Sequence, residues 1–177
     1  MQDEWGLLQL NNSLFLVNFL IMIKVLKYIL LLLFIGLVII QFINKPERIS
    51  EPVSENDMIE SLQVNADVAG LLKAACYDCH SNQPRYPWYA SIAPVSWSIA
   101  EHIEHGRSEL NFSEWATYSA RKRDHKLEEM VEEVEVGNMP MPGYVALHKD
   151  ANLSADQFEM LKAWVEQERT KIAQESN

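Results

Sequence analysis

The chain has 177 residues, with 15 basic and 25 acidic side chains and a formal charge of −10. That length holds one modest domain with appendages, and the acid excess argues against nucleic acid, whose phosphates would repel it. Residues 1–45 carry a net +1, leaving −11 on the remainder, a balance that most simply serves solubility and otherwise favours basic partners.

From Leu14 to Ile43 the sequence is almost wholly apolar, broken by Asn18, Lys24 and Lys27. The densest part, Tyr28 to Ile43, reaches about 24 Å as helix, short of a hydrocarbon core of about 30 Å. Adding Ile23 to Lys27 closes the gap, because lysine side chains can snorkel to the headgroups. One transmembrane helix over 23–43 is expected. Lys24 and Lys27 precede its densest part, which points the N-terminus into the cytoplasm. The rest of the chain then lies in the periplasm of a bacterial inner-membrane protein. No small-residue cleavage site follows Ile43, so an uncleaved anchor is preferred to a signal peptide. Met22-Ile23-Lys24-Val25-Leu26-Lys27 reads as a natural beginning of such a segment. Residues 1–22 are then an upstream extension, which a misassigned start would explain.

Residues 44–57 are polar, with Pro46 and Pro52, and read as a stalk. From Met58 the pattern turns helical. Val64, Val68, Leu71, Leu72 and Ala75 recur at three- and four-residue intervals, and the helix runs into Cys76-Tyr77-Asp78-Cys79-His80. This stretch holds both cysteines of the chain. CxxCH is the attachment signature of c-type haem. Each thiol can add to one vinyl group, and the adjacent imidazole can bind the iron as proximal ligand. A thiol redox pair would want a βαβ pattern that is not seen. Zinc would want two further ligands.

Ser81 to Tyr89 contains Pro84 and Pro87 and cannot be regular helix. Arg85 is a candidate partner for a haem propionate. Tyr86 and Trp88 are candidate haem contacts, as is Trp97 farther on; the plainer reading is an aromatic loop packed on the core. Val95 to Gly106 reads as a helix closed by its glycine. His102 and His105, flanked by Glu101 and Glu104, read as surface histidines before a metal pair. Leu127 to Val136 reads as an acidic amphipathic helix stopped by Gly137.

Asn138-Met139-Pro140-Met141-Pro142 is expected as a stiff extended loop. A thioether there suits the sixth position of haem iron. Met139 and Met141 point to largely opposite sides of an extended chain, so one of them at most is the ligand. His148 would give a bis-histidine iron instead. Ser154 and Gln157 form a capping box before a last helix, and residues 174–177 are a polar tail.

Several of these segments together resemble the bacterial haem-binding-domain proteins, small exported c-type haem proteins with an N-terminal anchor. The matching residues are Cys76-Tyr77-Asp78-Cys79-His80-Ser81-Asn82, Tyr86-Pro87-Trp88-Tyr89, Pro94-Val95-Ser96-Trp97, Asn111-Phe112-Ser113-Glu114-Trp115, Met139-Pro140 and His148. The resemblance covers roughly residues 60–170. It implies one covalent haem c on Cys76 and Cys79 with His80 axial, and favours Met139 over Met141 as distal ligand. It names no reaction.

The expected architecture is all-α: a transmembrane helix, a stalk, and a cytochrome c-like helical haem domain over 58–173. The expected role is a one-electron carrier, tethered by one helix and working with redox partner proteins after loading by the cytochrome c maturation machinery. A peroxidase-like haem enzyme would need an openable distal position and acid–base groups, for which His102, His105 or His148 are available. A haem-based redox or gas sensor would need a switchable ligand and a partner to carry its output.

Overall fold

The structure, a computed structural model, describes residues 2–175. Met1 and the last two residues of the expected tail lie outside them. The described residues form helices and turns with no strand, as the sequence pattern predicts. By contact the chain divides into two units, residues 1–45 with 92–94 and residues 46–91 with 95–177.

The first unit is built on α1, a single helix from Gln2 to Ile40. It takes in the segment read from sequence as an upstream extension. No proline interrupts it, and asparagine in a helix costs well under about 1 kcal/mol relative to alanine. Leu16–Ile40 is long and apolar enough to cross a membrane. At about 1.5 Å per residue it reaches about 38 Å, more than a hydrocarbon core of about 30 Å. Tightening turns follow from Gln41 to Ile43. Asn44 then takes φ +48°, a left-handed conformation that asparagine tolerates better than most residues.

The second unit carries α2 (Met58–Ser61), α3 (Ala66–Ala75), α4 (Tyr77–His80), α5 (Val95–Glu109), α6 (Ala120–Glu135), α7 (Pro142–Leu147) and α8 (Ala155–Glu175). Short 3-10 turns lie at Trp88–Ser91, Phe112–Thr117 and Lys149–Ala151. Its core joins Val68, Leu71 and Leu72 of α3 to Leu127 and Met130 of α6 and to Leu161, Trp164 and Val165 of α8. Phe112 and Trp115 complete it from the turn after α5.

Local chemistry sets the helix ends. Asn65 accepts a hydrogen bond from the Val68 N–H and so caps α3, and Ser119 does the same for α6 through Lys122. Each such cap contributes roughly 1 kcal/mol. Ser154 and Gln157 exchange the two bonds of a capping box at 2.8 and 3.2 Å. Gly137, at φ +79°, ends α6.

Several boundaries differ from the sequence expectation. The helical run expected from Met58 into the motif breaks after Ser61, where Gln63 takes φ +50°, and resumes at Ala66 behind the Asn65 cap. α5 continues past Gly106 to Glu109. α6 begins at Ala120, seven residues ahead of Leu127, because Ser119 supplies a cap and Arg121-Lys122-Arg123 are good helix formers. Pro142 opens α7 at its first turn, where its missing N–H leaves no helix bond unmade.

Candidate functional site

Cys76 closes α3 and opens α4, the one-turn helix Tyr77–His80. Cys79 and His80 both donate their backbone N–H to the Cys76 carbonyl, at 3.1 and 3.0 Å. That turn puts both thiols and the imidazole at one place in the fold. The thiols are free and half-buried. Burial pushes Cys76 up to about 12, with the Cys79 charge adding to it, and burial with the Asp78 charge pushes Cys79 up to about 11. Redox-active CxxC pairs have lowered values instead. Among the described residues no group of three or more His, Cys, Asp or Glu side chains converges as metal ligands would.

His80 is held by the turn after α5. Its Nδ1 lies 3.0 Å from the Leu110 carbonyl oxygen. A carbonyl can only accept, so Nδ1 carries the proton and Nε2 keeps the lone pair. This is the tautomer that an Nε2 metal ligand requires. Burial holds the imidazole below its ordinary pKa, partly offset by the Leu110 carbonyl, and so favours the neutral ring. The Phe112 ring lies 5.9 Å away.

The carbonyl of Leu110 is itself fixed by a polar knot. Asn82 Oδ1 accepts from Arg107 Nε at 2.9 Å and from Asn111 Nδ2 at 3.0 Å. The Asn82 N–H donates to Ser113 Oγ at 3.0 Å, and Asn82 Nδ2 donates to Glu51 at 2.6 Å. Ser81 Oγ donates to the Tyr77 carbonyl at 2.7 Å. The buried pair Ser81-Asn82 therefore ties the motif turn to α5 and to the segment that presents Leu110.

Gly106 brings α5 against the motif. A Cβ there would stand 2.8 Å from the Cys79 carbonyl oxygen, closer than any real Cβ contact. Sequence reasoning read this glycine as a helix stop. It instead lets α5 run past the CxxCH turn at backbone contact.

Two cavities flank the motif. One, of about 420 Å³, is lined by Cys76, His80, Met139 and Pro140, with His105, Gly106 and Leu110 of the α5 side and Glu129, Met130 and Glu133 of α6. The other, of about 210 Å³, is lined by Cys79, Arg85, Tyr86, Tyr89, His102, Met141, Tyr144 and His148. Cys76 lines the larger cavity and Cys79 the smaller, so between them the two cavities would hold a group attached to both thiols. Both hold apolar wall suited to a porphyrin, so the residues present fit a haem.

The expected ligands thus separate. Met139 shares a cavity with Cys76 and His80, while Met141 and His148 sit with Cys79. His148 is already engaged. Its Nδ1 lies 3.0 Å from the Tyr144 carbonyl, its Nε2 lies 3.3 Å from the Tyr89 hydroxyl, and its ring stacks on Tyr144 at 4.1 Å. His102 and His105 are exposed and line different cavities.

Of the candidate haem contacts, Tyr86 lines the smaller cavity and accepts from the Ile49 N–H at 3.1 Å. Trp88 is 77% exposed, edge-on to Tyr89, and lines neither cavity. Trp97 is half-buried and also lines neither. Arg85 borders the smaller cavity, but its guanidinium grips Asp78 through Nε at 3.0 Å and a terminal nitrogen at 3.2 Å. Asp78 and Tyr144, which sequence reasoning gave no role, meet at 2.6 Å. An acidic residue between the cysteines, read together with the nearby Arg85, was the available signal for this pairing.

The model of the haem-binding domain matches residues 35–167, most of the chain. The chain belongs to the haem-binding-domain family. It is a haem-binding protein, and the CxxCH turn lies inside the matched region. No curated protein and no solved structure matches it.

Proposed function

We propose that this haem-binding protein is a membrane-anchored, periplasmic carrier of single electrons with one haem c. In this reading Cys76 and Cys79 hold the haem, His80 is the proximal iron ligand and Met139 the distal one. The observation that carries the reading is the cavity shared by Cys76, His80 and Met139, with His80 Nδ1 spent on the Leu110 carbonyl.

Bound there, haem supplies a one-electron couple. The chain's own residues fit that use. Burial keeps His80 neutral, with its lone pair on Nε2. The Met139 thioether is a soft donor that raises a haem potential. Residues ligating on both faces would leave no position for a substrate, which suits outer-sphere transfer over peroxide turnover. Leu16–Ile40 supports a membrane tether, and Lys24 and Lys27 ahead of its densest part support a periplasmic domain. Redox partner proteins and the haem-loading machinery complete the proposal.

Expression with cytochrome c maturation proteins, then a denaturing gel stained for haem, tests attachment. Stain is expected on the native chain and absent from Cys76→Ala/Cys79→Ala. Spectra of Met139→Ala, Met141→Ala and His148→Ala then test the distal ligand: only the first is expected to lose the signature of sulfur ligation. A native protein that carries no stain would sink the reading.

A further inference from the structure

The segment that carries Met139 has few ties to the motif, and one of them is chemically strong. Asp78 lies between the two cysteines and is buried. Its carboxylate accepts from the Arg85 backbone N–H at 2.9 Å and from the Arg85 guanidinium at 3.0 and 3.2 Å. It also accepts from the Tyr144 hydroxyl at 2.6 Å. The hydroxyl lies 3.3 Å from the Ala74 carbonyl too; its one proton belongs to the shorter, charged partner. The Tyr144 ring is stacked on His148 at 4.1 Å and 19°.

Tyr144 stands in α7, five residues after Met139. On the other side, the Met139 N–H donates to the Glu133 carbonyl of α6 at 3.0 Å. Met139 is thus bracketed by two anchors, the end of α6 and the Tyr144 hydroxyl. Pro140 and Pro142 lie between Met139 and Tyr144, each with its φ fixed by the ring. Little freedom remains in that bracket once both ends are held. α7 has no buried residue of its own, so packing contributes little to holding it.

We propose that Tyr144 is a positioning residue for Met139, latched onto Asp78 so that the methionine segment is held against the haem-attachment turn. This rests on the proposed haem c with Met139 as distal ligand. The latch sets how readily the thioether gives way: with it closed, an outside ligand must displace a methionine that cannot swing; with it open, the segment moves and the iron position becomes accessible.

The test uses full-length, haem-loaded protein and imidazole as the competing ligand. Tyr144→Phe keeps the ring and its stack and removes only the hydroxyl. Covalent haem stain is expected to persist, while imidazole affinity of the ferric protein rises about tenfold or more, the loss expected for a hydrogen bond to a charged group. The far-red charge-transfer band of sulfur-ligated ferric haem is expected to weaken. In a Met139→Ala background the same substitution is expected to change imidazole affinity no further. An unchanged affinity and band in Tyr144→Phe would overturn the proposal, as would an equal rise in the Met139→Ala background. Absence of stain from the native chain would fell the haem c reading and this inference together, so the two failures are told apart. Should Tyr144→Phe not accumulate, amide exchange in full-length, haem-loaded Asp78→Ala, which has no side-chain acceptor for the Tyr144 hydroxyl, carries the test. Faster exchange over 139–147 than in the native chain supports the latch, and unchanged exchange there overturns it.

Discussion

His80 and Met139 line one cavity, yet the segments that carry them are built in opposite ways. His80 stands on a one-turn helix that α5 touches at backbone distance through Gly106. Its ring is oriented by Leu110, and Leu110 is fixed through Asn82, Asn111 and Ser113. The buried Phe112 ring lies 5.9 Å from the imidazole and stacks on Tyr77. Met139 stands on a proline-bounded stretch followed by a six-residue helix with no buried residue. The His80 side is held by many mutually supporting contacts, the Met139 side by a backbone bond to Glu133 and the Tyr144–Asp78 hydrogen bond. In the proposed reading, attachment calls for a turn that does not move, and control of access to the iron for a segment that can.

The sharpest way to break the proximal side is Gly106→Val. A branched side chain there meets the Cys79 backbone, which cannot swing aside as a flexible side chain would. Overpacking costs about 1–3 kcal/mol, and a contact with backbone belongs at the upper end. Denaturant unfolding of the unloaded protein is expected to show a loss of about 3 kcal/mol. Haem-stained product should fall with it. Loss of haem stain without loss of stability would mean that Gly106 serves loading rather than packing.

Next in size is Asn82→Ala. It removes the acceptor shared by Arg107 and Asn111 and leaves donors in a buried site, each costing roughly 1–3 kcal/mol. A loss of about 2 kcal/mol is expected, together with a weaker hold on His80 through Leu110. A shift in the haem spectrum larger than that of an equally destabilising core substitution, such as Val165→Ala, would tie the knot to the imidazole. An identical shift would reduce it to ordinary packing.

How far the sequence foretold this contrast follows from which interactions are local. The Ser154–Gln157 capping box and the Gly137 stop are set within a few residues of themselves, and the structure follows both; the run into the motif is helical only from Ala66, because the chain breaks between Ser61 and the Asn65 cap. The all-α fold and the haem-binding family follow from the same local patterns. Gly106 misled because its reason is a neighbour 27 positions away, the Cys79 carbonyl. The Asn82 knot and the Tyr144–Asp78 latch are likewise long-range pairings of ordinary polar residues, which no periodicity announces. Leu127 was read as the start of its helix because apolar spacing begins there, while the helix itself begins at the Ser119 cap. Of the candidate ligands, the residue pattern separated Met139 from Met141 only as pointing apart, and the resemblance favoured Met139; the structure places the two in different cavities.

In the methionine segment Met141→Leu is expected to do little. Leucine and methionine have similar volume, and such swaps usually cost under about 1.5 kcal/mol. The smaller cavity should keep its apolar wall, and the ferric spectrum should match that of the native chain. If Met141→Leu alters the spectrum while Met139→Leu does not, the distal ligand comes from the other cavity and the contrast drawn above is inverted.

The smallest effect is on the His80 side, and its sign is fixed by burial. His80 is held below its ordinary value of 6.5 in the folded chain, chiefly by desolvation of its charged form. Between that lowered value and 6.5 the unfolded chain binds the proton and the folded chain does not. Stability in the unloaded protein therefore falls as pH drops below about 6.5, at most by about 1.4 kcal/mol per pH unit for one group. The contribution is present in full above 6.5 and is lost downward through the folded value. His80→Gln isolates it: the amide can still donate an N–H to the Leu110 carbonyl but cannot titrate. Unfolding free energies measured at pH about 7 and about 5.5 should converge for His80→Gln and separate for the native chain. A slope of equal size in both would assign the pH dependence to other groups and show that His80 is less enclosed than its contacts with Leu110 and Phe112 require.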